Sequence, residues 1–67
     1  MGVLTNLPAL RVERNLTQLD LAKQVGVSRQ TINSIERGKF EPSLSLALII
    51  SKYFGQPVED IFSHHPG

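Results

Sequence analysis

The stretch Thr17 to Gly38, TQLDLAKQVGVSRQTINSIERG, leaves this chain few ways to fold. Thr17 with Asp20 three places later forms a T-x-x-D capping box, so a helix is expected to begin there. Leu19 and Leu21 to Val25 read as its apolar stripe, and Ala22 is small enough to let a second helix approach closely. Gly26 falls where that helix must stop, because glycine just past a helix end takes a left-handed conformation without steric cost. Ser28 is a good cap for the next helix, whose buried face is Ile32 and Ile35. Two helices of this length, separated by a short break containing glycine, pack at a steep angle and present the second helix outward.

The face opposite Ile32 and Ile35 carries Arg29, Gln30, Asn33, Ser34 and Arg37. Their chemistry is that of groups that read bases and phosphates. Arginine forks onto guanine, glutamine and asparagine pair bidentately with adenine, and serine serves either. A catalytic helix more often offers His, Cys or paired carboxylates, and this one has none of those arrangements. A helix-turn-helix whose second helix enters a major groove is therefore expected.

Size narrows the choice further. Sixty-seven residues make one domain, which at this length buries only about 60% of its extended surface. An enclosing substrate pocket is hard to fit, and no catalytic constellation is visible. Ser28, Ser34 and Ser43 lack a His partner outside the tail, while Asp20 and Glu36 have structural roles as cap and ion pair. The chain has no cysteine, so neither a disulfide nor a Cys-based zinc site staples it. The longest apolar run, Leu46 to Ile50, is far short of the ~20 residues a membrane span needs. MGVLTN lacks the pattern of a secretory signal, and Asn6 argues against myristoylation at Gly2. A cytoplasmic protein without cofactor, metal or membrane partner is expected.

The net charge of +1 says little by itself. Its distribution says more. Arg11, Arg14, Lys23, Arg29, Arg37 and Lys39 face only Glu13, Asp20 and Glu36 between residues 11 and 39, whereas Lys52 is outnumbered by Glu41, Glu59 and Asp60 beyond them. Positive potential is thus expected around the second helix of the motif.

Around this centre, residues 1–5 read as an arm, with Val3 and Leu4 packed onto the core or across a dimer seam, or else loose. A first helix opens after Asn6 or Thr5 with Pro8 in its first turn, buries Leu7, Leu10 and the Arg14 stem, and ends at a left-handed Asn15. Leu16 plugs the core. Arg11 and Glu36 lie on or beside the apolar faces of their helices, as an interhelical ion pair or as a solvated pair. Phe40 is expected to cover the core while Lys39 faces outward. Ser43 caps a fourth helix, LSLALIISKYF, apolar over a wide arc and ended by Gly55. Val58 to Phe62 reads as a short fifth helix. Ser63 to Gly67 reads as a frayed tail, in which the adjacent His64 and His65 do not converge as metal ligands.

The run NLTQLDLAKQVGVSRQTINSIERGKFEPSLSLALIISKYFGQPVEDIF resembles the Cro/C1-type helix-turn-helix family, also called the Xre family. The elements L-T-Q, V-G-V-S-x-x-x-I, I-E-x-G and P-S-L stand in order at the family's spacings. The resemblance covers about residues 7–62 and implies an all-α, five-helix, lambda-repressor-like DNA-binding domain spanning residues 1–67. It implies that Arg29, Gln30, Asn33 and Ser34 face base edges, and that Gln18 contacts a phosphate. Thr17, Arg37, Lys39 and Ser43 join the phosphate contacts, and Arg11 and Glu36 match an interhelical ion pair. Leu7-Pro8-Ala9 departs from the polar opening common in the family, so phosphate contacts there are not carried over.

The resemblance implies a sequence-specific regulator of double-stranded DNA, a repressor acting as a homodimer on a palindromic operator. No further domain is expected after the fifth helix, so the dimer is assigned to Phe54, Ile61, Phe62 and exposed members of the fourth helix, with Phe54 and Phe62 equally open to a core role. The alternative is an antitoxin-like module that holds another protein on the fourth helix, with DNA secondary.

Overall fold

A computed structural model of the chain describes residues 2–65. In chain order the elements are β1 (Gly2–Thr5), α1 (Leu7–Glu13), α2 (Gln18–Val25), α3 (Arg29–Glu36), α4 (Leu44–Phe54), α5 (Val58–Ile61) and β2 (Phe62–His65).

Local chemistry accounts for the helix boundaries. The Thr17 hydroxyl accepts the Asp20 N–H while the Asp20 carboxylate accepts the Thr17 N–H, each at 3.0 Å, which completes the capping box of α2. Gly26 ends α2 at φ +80°. Ser28 and Ser43 accept the N–H of Thr31 and Leu46 and so cap α3 and α4. Asn15 takes φ +58°, the left-handed turn that brings the chain from α1 into α2. Asn6 precedes α1 without a side-chain cap. Thr5 stands in for it: its hydroxyl accepts the Leu7 N–H at 3.0 Å and donates to the Ile61 carbonyl at 2.8 Å.

Each helix contributes a large, fully buried side chain to a common core: Leu7, Leu21, Ile32, Ile50 and Ile61. Leu10, Ala22, Val25, Ile35, Leu46, Ala47, Phe54 and Phe62 complete it.

Several expectations need correction. The domain is helical but not all-α. The supposed arm and the Ser63–His65 part of the supposed tail pair as antiparallel strands, with Val3 opposite His64 and Thr5 opposite Phe62. Met1, Pro66 and Gly67 lie outside the described residues. Strand alternation turns Val3 onto the core and leaves Leu4 exposed. Phe62 is the first residue of β2 rather than the last of α5. Leu19, expected in the apolar stripe of α2, is exposed, because the buried arc runs through Leu21, Ala22 and Val25. Phe40 does not cover the core either: it is 49% exposed. Phe54, Ile61 and Phe62 are core residues, at 4%, 1% and 8% exposure, and present no surface to a second subunit. The apolar arc of α4 that reaches solvent is Leu44, Leu48 and Ile49.

Candidate nucleic-acid interface

The site is built on α3, which its cap and its two buried isoleucines orient. With Ile32 and Ile35 turned inward, Arg29 and Gln30 in the first turn are exposed, and Asn33 and Ser34 are half-buried one turn later. Arg37, just past the helix end, and Lys39 in the connector are exposed beside them. The Lys39 N–H donates to the Ser34 carbonyl at 2.9 Å, which folds the connector back along the helix. Thr17 and Ser43 are exposed, and their hydroxyls act as caps at the starts of α2 and α4.

A polar network fixes α3 to the two preceding helices. The Arg11 Nε donates to Glu36 Oε2 at 2.8 Å and Nη2 to Oε1 at 3.1 Å, a bidentate pair. The Arg11 Nη1 also donates to the Leu16 carbonyl at 2.8 Å. The side chains are 16% and 6% exposed, so the pair is largely removed from water. Its hydrogen bonds to Glu36, and secondarily the carboxylate charge, hold the Arg11 pKa above its ordinary value against the opposing effect of burial.

Gln18 extends the network. Its Nε2 donates to Glu36 Oε1 at 3.1 Å, and its Oε1 accepts from Asn33 Nδ2 at 3.4 Å. The amide keeps one N–H beyond these bonds, enough to donate to a phosphate at the start of α2. Asn33 is therefore tethered, while Arg29 and Gln30 are exposed and have no side-chain partner among the described residues. Spacing alone did not reveal this tie between Gln18 and Asn33, because they are fifteen residues apart on different helices.

Arg14 plays a part that its sequence context hid. Its guanidinium lies 4.9 Å from the centroid of the Phe54 ring and donates to the carbonyls of Tyr53 and Phe54 at 3.2 and 3.0 Å. It thus serves the negative end of α4 and is withdrawn from the positive surface around α3. Partners forty residues apart leave no local pattern.

Between α3 and the connector lies an open recess of about 330 Å³, lined by Ser28, Gln30, Thr31, Ser34, Lys39 and Phe40. A convex helix bearing exposed amide and guanidinium groups, flanked by cations and a recess, can enter a groove and contact edges.

A family model described as helix-turn-helix matches residues 9–61. The chain is 64% identical over 52 residues to an HTH-type transcriptional regulator of Methanocaldococcus jannaschii, covering 78% of this chain and 79% of that protein. It is 38% identical over 61 residues to the immunity repressor protein of Bacillus phage phi105, covering 91% of this chain and 42% of that protein. The solved SOS-response transcriptional repressor LexA from Eubacterium rectale superposes with a TM-score of 0.80 at 30% identity, over 91% of this chain and 65% of that one. The chain thus spans less than two thirds of either repressor.

Proposed function

Because this chain belongs to the Cro/C1-type helix-turn-helix family of transcriptional regulators, we propose that it is a cytoplasmic, sequence-specific repressor that occupies a palindromic operator as a homodimer. The observation that carries the reading is the exposure of Arg29 and Gln30 on the first turn of α3, a helix held rigidly by the Arg11–Glu36 pair. Arg29, Gln30, Asn33 and Ser34 then meet base edges. Gln18, Thr17, Arg37, Lys39 and Ser43 meet phosphates on either side, which set position without reading sequence. Two such helices enter successive major grooves about one turn, ~34 Å, apart. Leu44 and Leu48, one turn apart on α4, form the self-complementary seam between the two copies. The likeness to two proteins named as repressors supports the sign of regulation.

DNA selection with randomised duplexes tests this first: enrichment of two inverted half-sites is the expected outcome. On the selected site, Gln30→Ala should cost ~1–3 kcal/mol in cognate affinity and leave random DNA nearly unaffected, whereas Lys39→Ala should weaken both alike. Equal losses with both variants on both DNAs would remove the reading. The exposed Leu44, Leu48 and Ile49 also favour a second reading, an antitoxin-like module that holds another protein there. Salt-sensitive binding without sequence enrichment would support it.

A further inference from the structure

We infer that Phe40 is a specificity-determining residue that takes the C5-methyl group of the thymine paired with the adenine approached by Gln30. The inference rests on the DNA-binding reading of α3 and deepens it.

Phe40 is 49% exposed. Phe40 lines the recess beside α3, in company with Gln30 and Ser34 from the helix's outward side. The chemistry of that lining matches one base pair. On the major-groove edge of an A·T pair, adenine offers N7 and N6–H₂ to a glutamine amide, and thymine offers a methyl group, which phenylalanine contacts well. An amide and an aromatic ring on one recess are thus complementary to the polar and apolar halves of that edge.

The competing target is the sugar-phosphate backbone, which Lys39 and the Ser28 and Thr31 hydroxyls would suit. Those hydroxyls are engaged with each other, their oxygens 2.9 Å apart, and the Ser28 oxygen also accepts the Thr31 N–H. A single bond between two hydroxyls uses one of their two protons, so this pair and the Lys39 ammonium can still serve the backbone, and Phe40 is the apolar lining residue that a phosphate does not satisfy. A ring left in water at the rim of an interface is stabilised when an apolar group covers it.

The test replaces each thymine of the selected operator, one at a time, by deoxyuridine, which removes only the methyl group. The wild-type protein should lose about fourfold in affinity at one thymine per half-site, the worth of one buried methyl group. Phe40→Ala should bind the unmodified operator at least that much more weakly and be indifferent to the same replacement. Independently of any variant, NMR of the wild-type complex should show contacts between the Phe40 ring protons and that methyl.

Three results would overturn the inference: a Phe40→Ala profile identical to wild type, equal weakening on operator and random DNA, or no ring-to-methyl contact. Gln30→Ala in the same assay separates the two levels. If it loses cognate discrimination while Phe40→Ala keeps the wild-type profile, reading by α3 stands and the Phe40 assignment falls. If the wild-type protein prefers no sequence, both fall.

Discussion

A carboxylate as enclosed as Glu36 is tolerable only with partners, and it has two, the Arg11 fork and the Gln18 amide. Removing Arg11 would leave that charge with a neutral hydrogen bond in a poorly solvated place. We expect Arg11→Ala to cost ~3 kcal/mol, the low end of what breaking a buried pair from one side costs, because Arg11 retains some contact with water. The double variant Arg11→Met, Glu36→Leu should cost much less, since it removes the charge along with its partner. Urea unfolding of both variants measures this, and equal losses would mean that the pair behaves as a solvated one. The same residues explain what spacing left open. Arg11 and Glu36 were readable as either a buried or a solvated pair, and only the packing of α1 against α3 places them largely out of water.

At the scale of the helix, the signals that start and stop each element are local, which is why they were legible. T-x-x-D, the serines before α3 and α4, and the glycines after α2 and α4 act within one turn of their own residue. The capping box of α2 has a pH signature. The Thr17 backbone N–H, and then its hydroxyl, hold the Asp20 carboxyl below its ordinary pKa. A depressed folded-state value means that Asp20 contributes stability that is fully present above the unfolded pKa of about 3.9 and lost as pH falls through the folded one. The stability gap between wild type and Asp20→Asn should therefore be constant near neutrality and close in acid. A gap that persists unchanged at the lowest accessible pH would show that the carboxylate's charge is not what the cap uses. The strands escaped notice for the opposite reason. Neither GVLT nor FSHH is long enough to declare itself, and a two-stranded ribbon is marginal alone. It persists here because the Thr5 hydroxyl clasps Ile61 and because Val3 and Phe62 rest on the core.

For the whole molecule, the surface that bears on assembly is the exposed apolar arc of α4. The side chains first assigned to a dimer, Phe54, Ile61 and Phe62, are consumed by the core, which leaves Leu44 at 74% exposure and Leu48 at 53%. Placing a carboxylate at the centre of an apolar seam would cost its desolvation with no partner present. If Leu44 and Leu48 form the proposed seam, Leu48→Glu should yield monomer in sedimentation equilibrium while shifting folding stability by no more than about 0.5 kcal/mol, as for other exposed positions. A variant that remains as dimeric as wild type would move the interface elsewhere.

The amino-acid sequence by itself determined where α2, α3 and α4 begin and where α2 and α4 end, which face of α3 turns inward, and that Arg29 and Gln30 stand on the other face. Those properties depend on hydrogen bonds and periodicities spanning three or four residues. Tertiary structure alone decided that Arg14 serves the end of α4, that Gln18 ties Asn33 to Glu36, that Phe40 borders the recess, and that the two ends of the chain pair as strands. Each of these joins residues distant in sequence, and no local rule carries the free energy of bringing such partners together.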